Sequence, residues 1–178
     1  AINKNQTIPN PFSIKKLDFQ SNDMELVIAK LREKIKNNPI DVQSLSTLGN
    51  ILSNEKATTS QINEAVSCFD KIIALNPNDA DAYTGAGFAL MRGDISLSSQ
   101  LTNNLLNSSD AKDKAKVQSI MSRRKAVLTK ALPYLEKSEQ LAPNNKGVLE
   151  SLRVAYSVLD MDAKKEEVKQ KLSALKDK

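Results

Sequence analysis

The sequence predicts an all-α protein: antiparallel helix pairs stacked as a short α-solenoid, with an inserted helical hairpin in the second repeat. Three observations predict it. Asn38-Pro39, Asn76-Pro77 and Ala142-Pro143-Asn144 each stop one apolar run and open another at helical spacing. Pro39 and Pro77 are 38 residues apart, and Pro77 and Pro143 are 66 apart. Self-similarity with a period of about 34 residues marks stacked helical repeats, so the first gap is close to one unit and the second holds most of an extra one. No segment alternates with the period of two that an exposed strand requires.

Residues 1 to about 21 have two prolines and no helical period, and read as a flexible leader, with Phe12, Ile14 and Leu17 able to join the first helix. The repeat domain then spans 22–178, with the insertion at about 95–125. Asn22 or Asp23 is placed to cap a helix carrying Met24, Val27, Ile28, Leu31 and Ile35 on one face. It ends before Pro39, because the residue preceding proline is pushed out of the helical region.

Asp41 opens a second helix with Val42, Leu45, Leu48, Ile51 and Leu52 inward. After the polar NEKATTSQ segment, Ser60 is placed to cap a third helix, whose inward face is Ile62, Ala65, Val66, Phe69, Ile72, Ile73 and Leu75. Asp79 caps a fourth from Ala80 to Arg92, which Gly93-Asp94 is expected to stop. Ile95, Leu97, Leu101, Leu105 and Leu106 suggest a short helix, broken at NSSD. Asp110 then caps a long helix, Ala111 to Leu141, with Pro133 inside it, where the missing N–H favours a bend. Leu101 and Leu105 are spaced to pack on Val117, Ile120 and Met121. Two more helices follow at about 145–159 and 162–176.

Bulk properties bound the function. The 178 residues are enough for a real core, and 40% apolar with 26% charged is ordinary for a globular protein. The formal charge of +5 is mild. The chain has no histidine, which removes every triad, dyad or metal site built on imidazole. Cys68, the one cysteine, excludes an internal disulfide and reads as a packing residue. No run approaches the roughly 18 apolar residues of a membrane span. The chain begins at Ala1 without methionine or an apolar signal core, which leaves open a removed leader or a trimmed start.

Short motifs have plain structural readings. Gly85-x-Gly87 lacks the third glycine and the preceding strand of a dinucleotide loop, so helix packing explains it. Asp79/Asp81 and Asp160/Asp162 lie at helix starts and turns, where carboxylates satisfy free amides. Asn5-Gln6-Thr7 and Asn107-Ser108-Ser109 fit a glycosylation pattern that also occurs by chance. Within 110–142 eight cations face four acids, giving a net +4. A solvated helix face is the favoured reading, since no aromatic stands among the cations of 112–130.

The repeated residues resemble the tetratricopeptide repeat. One copy reads Leu45, Leu48-Gly49, Leu52, Ala65, Phe69, Pro77; a second reads Tyr83, Ala86-Gly87, Leu90 and, past the insertion, Ala131, Leu135, Pro143. A third reads Leu149, Leu152, Arg153 in place of the usual small residue, and Tyr156. The ALPYLEKSEQLAPNN segment and the KKEEVKQKL tail are similar to repeat proteins exported by Gram-negative bacteria, which implies an exported, periplasmic or envelope setting over a cytoplasmic one.

The family resemblance implies a non-enzymatic scaffold that binds a peptide or helical segment of a protein partner in a concave groove. It implies no cofactor, no metal, no catalytic residue and no small-molecule substrate. Carried onto this chain, the groove positions are Gln43, Ser46, Asn50, Thr84, Phe88, Met91, Arg92, Glu150 and Val154. Phe88 and Met91 are the expected apolar anchor. The family's carboxylate clamp is matched only at Asn50, its basic positions being Ser46, Gly147 and Ser151 here, which argues against binding of chaperone tails. The alternative reading is a peripheral module docking an anionic surface, membrane or nucleic acid, through the basic helix 111–137.

Overall fold

The computed structural model describes residues 21–175, and within them every element is helical. The leader, its Phe12, Ile14 and Leu17, and the Asn5 pattern lie outside the described residues. The first pair of elements is α1 (Ser21–Asn37) and α2 (Val42–Leu52); α3 (Thr59–Leu75) and α4 (Ala80–Ser98) follow. The four-residue α5 (Asn103–Leu106) leads into the 31-residue α6 (Ala111–Leu141), and α7 (Lys146–Val158) and α8 (Asp162–Ala174) close the array. Consecutive helices pack as antiparallel neighbours, except that α4 takes α6 as its partner and α5 rides on the start of α6.

Local chemistry sets the boundaries. Asp41 caps α2, its Oδ1 accepting from Ser44 N at 3.1 Å and its Oδ2 from the Ser44 hydroxyl at 2.7 Å. These bonds hold the Asp41 carboxyl below its ordinary pKa. At α3 the cap is Thr58, not Ser60. Its Oγ1 accepts from Gln61 N while Gln61 Oε1 accepts from Thr58 N, satisfying two free amides reciprocally. At the first helix the structure also corrects the expectation: α1 already includes Asn22 and Asp23.

The larger correction is at Gly93-Asp94. The fourth helix does not stop there but runs on to Ser98. Asp94 is 2% exposed and is gripped by Arg124 of α6 through two bonds, Nε to Oδ1 at 2.7 Å and Nη2 to Oδ2 at 3.1 Å. A mid-helix glycine costs roughly 1 kcal/mol relative to alanine, which this buried fork and the burial of Leu97 offset. Ile95 and Leu97 therefore belong to α4. Leu97, Leu105 and Ile120 form a satellite core, with Leu101, Val117 and Val127 around it. The residues in excess of the repeat period thus lengthen α4 and α6 and cap their shared end with α5. Helix α6 is continuous through Pro133; Pro133 and Thr129, whose carbonyl loses its usual donor, are both exposed.

Two larger cores remain. One joins α2, α3 and the first half of α4 around Leu45, Leu48, Leu52, Phe69 and Ile72. The other joins α4, α6, α7 and α8 around Leu128, Leu135, Leu149, Leu152 and Tyr156. Glycines set the spacing between layers. A β-carbon at Gly49 would stand 2.8 Å from the Phe69 ring, one at Gly85 would collide with the same ring, and one at Gly87 would stand 2.6 Å from Leu135 Cδ2. Gly85 and Gly87 are thus packing residues on two faces of α4, against α3 and α6. Val42 and Leu75, expected inward, are exposed at 43% and 48%, because both sit at the open end of the α2–α3 pair.

Candidate functional groove

Between α2 and α4 runs a groove of about 580 Å³ with Phe69 and Ile72 of α3 as its floor. Ser46, Asn50 and Ser53 supply the α2 wall, and Thr84, Gly85, Phe88 and Arg92 the α4 wall. The floor is closely covered, Phe69 and Ile72 being 3% and 2% exposed, and Gly85 lets the α4 backbone settle onto the Phe69 ring.

Of the nine positions expected, the structure brings five together here: Ser46, Asn50, Thr84, Phe88 and Arg92. Gln43 is exposed on α2, its amide donating to Thr47 Oγ1 at 3.3 Å. Met91 is not part of the groove; it is 6% exposed in the second core, about 300° around α4 from Phe88. Glu150 pairs with Arg153 on α7 at 2.9 Å, and Val154 packs on the second core, so neither reaches the α2–α4 groove.

The side chains differ in how free they are. Thr84 lines the wall, but its hydroxyl donates to Ala80 O at 2.8 Å and lies 2.7 Å from Ser138 Oγ, facing α6. Asn50 is exposed, and among the described hydrogen bonds its amide makes none. The Phe88 ring is half-buried and leans towards α7: a β-carbon at Gly147 would stand 3.1 Å from its Cζ. Arg92 closes one end, donating from Nε to Ser53 O at 3.2 Å with the rest of its guanidinium exposed.

At the opposite end stand Asp79 and Asp81. Asp79 caps α4, accepting from Ala82 N at 2.9 Å, and Asp81 is exposed in the first turn. The half-charge of one helix terminus balances only part of two carboxylates, so this end is acidic and the Arg92 end basic. A capping role for both acids does not by itself show this polarity, whereas Phe69 is the core residue expected and also underlies the groove. The signal for the floor was Gly85, a residue without a side chain two positions before the repeat's own small residue.

Among the described residues no group of three His, Cys, Asp or Glu side chains could hold a metal ion, and no helix is long and apolar enough to cross a membrane. Cys68 is buried, and burial pushes its thiol pKa up, away from reactivity.

No family model matches the sequence, and no curated protein sequence matches it. Among solved structures it is similar to two crystal structures of MamA. One is 19% identical, with 88% of each chain covered and a TM-score of 0.34. The other is 20% identical, covering 85% of this chain and 80% of that one, also at 0.34. Superposition this loose carries no argument, and the helical-repeat architecture rests on the helices and packing described above.

Proposed function

We propose that this protein is a non-enzymatic interaction scaffold of the tetratricopeptide-repeat kind, and that the α2–α4 groove holds a short extended segment of a partner protein. The observation that carries the reading is the groove itself: an apolar floor at Phe69, an apolar wall at Phe88, a free amide at Asn50, and opposite charges at its ends. Asp81 and Arg92 are eleven residues apart on α4, about 16 Å along the axis, which an extended segment of about five residues spans. The segment that fits carries a base at the Asp81 end, an apolar side chain in the middle and an acid at the Arg92 end. A small set of placed polar groups around an apolar anchor is how peptide grooves obtain specificity.

Selection of a displayed random-peptide library tests it. The peptides enriched on the parent protein should show that charge order and should not bind a Ser46→Arg, Asn50→Arg variant whose groove is filled. Enriched peptides that bind the filled variant equally well place the ligand surface elsewhere.

A further inference from the structure

A second surface lies on α6. Lys112, Lys116, Arg123, Lys130 and Lys137 fall within an arc of about 60° of its circumference, and from Lys116 onward they recur every seventh residue. No Asp or Glu of α6 shares that arc. The row extends about 38 Å, with charges about 10.5 Å apart.

A solvated helix face ordinarily interleaves its charges. Elsewhere this chain does so: among the described residues eight ion pairs form, tying Lys125 to Asp160, Lys164 to Glu136 and Lys171 to Glu139, and none of the eight uses a member of the row. Lys112 and Lys116 stand four residues apart, an arrangement that repels. The first four members are exposed and Lys137 is half-buried. Beside the row's C-terminal half, α3 and α6 enclose a cleft of about 570 Å³, lined by Val66, Leu90, Lys130, Pro133 and Tyr134 with Asp70.

We propose that this row docks an acidic helix, a partner segment with a carboxylate every seventh residue lying along α6 with its apolar edge towards the cleft. The spacing selects a helix among protein partners. A helix laid alongside presents its i, i+7 side chains at the same 10.5 Å interval, whereas an extended strand presents one face every ~6.7 Å. A membrane surface fits less well, because docking helices mix cations with inserted apolar residues, and none of the exposed large apolar residues belongs to α6. Single-stranded nucleic acid needs open aromatic faces. Tyr134, the aromatic at the row, is already engaged by Tyr83 at 6.5 Å and by Asp70 through its hydroxyl at 2.8 Å.

The test is fluorescence anisotropy of the full chain with three designed peptides. All are alanine- and glutamine-rich helices: one with four Glu at seven-residue spacing, one with the same four Glu at irregular spacing, and one with Lys in their place. The evenly spaced acidic peptide should bind at least tenfold tighter than either control and weaken as salt is raised. Arg123→Glu with Lys130→Glu should lower its affinity at least tenfold with an unchanged circular dichroism spectrum. Lys114→Glu with Lys146→Glu, the same change in net charge off the row, should leave it unaltered. Equal binding of the two acidic peptides, or no binding, overturns the proposal. So does binding of phosphatidylserine vesicles, lost on the row reversal, without binding of the peptide.

Discussion

Arg124 reaches across from α6 to grip Asp94 inside α4, four residues before that helix ends at Ser98. The side chains are 13% and 2% exposed, so both charges are out of water and held by two charge-assisted bonds. Removing one partner leaves the other buried without compensation. Arg124→Met should destabilise the protein by about 3–5 kcal/mol in urea unfolding. Adding Asp94→Leu to it should recover most of that loss. If the single change is silent, the extension of α4 has another cause.

Phe69 joins three helices, because its ring fills the space left by Gly49 on α2 and Gly85 on α4. Phe69→Ala should cost about 3–5 kcal/mol. Gly85→Ala should also destabilise, since the added methyl meets the ring and not a flexible chain end. Combined with Phe69→Leu, that penalty should shrink, and a double-mutant cycle would read the coupling. Strict additivity would show that the glycine and the ring are independent.

Helix order and inward faces were legible in the sequence where short-range signals sufficed. Asp41, Asp79, Asp110 and the prolines marked boundaries because caps and breakers act within a few residues. The end of α4 was not legible, because it depends on a partner 30 residues away whose charge read as surface. The groove was legible to the extent that α2 and α4 face it. Met91 failed because three residues along a helix turn a side chain by about 300°, enough on this broadly apolar helix to move it from wall to core.

Tyr134 and Tyr156 give a pH signature. Burial, and then the bond to Asp70, push Tyr134 up to about 12; burial, and then the bond to Glu136, push Tyr156 higher still. An acid whose folded pKa is raised contributes stability that is complete below its unfolded value near 10 and is lost as pH climbs through the folded value. Stability should therefore fall between about pH 10 and 12, and Tyr134→Phe should soften that fall. Phenolate absorbance of the folded protein should show two tyrosines ionising above the ordinary range. Ordinary titration of Tyr134 and Tyr156 would contradict their hydroxyl bonds to Asp70 and Glu136.

Phe88 and Met91, which the family resemblance implies to be one anchor, should separate in their effects. Phe88 is half-buried on the groove wall, whereas Met91 is 6% exposed beneath it. Phe88→Ala should weaken binding of a groove-selected peptide roughly tenfold, a change of about 1.4 kcal/mol. Its effect on stability should be smaller than that of Met91→Ala, which empties a core position and should cost about 2–4 kcal/mol while leaving peptide affinity close to the parent value. Asn50→Ala should weaken binding with little effect on unfolding, because its exposed amide makes no hydrogen bond among those described within the fold. Isothermal titration on the three variants, with urea unfolding in parallel, reads both quantities. If Met91→Ala lowers affinity as much as Phe88→Ala does at equal foldedness, the groove wall is not where the ligand's apolar side chain sits.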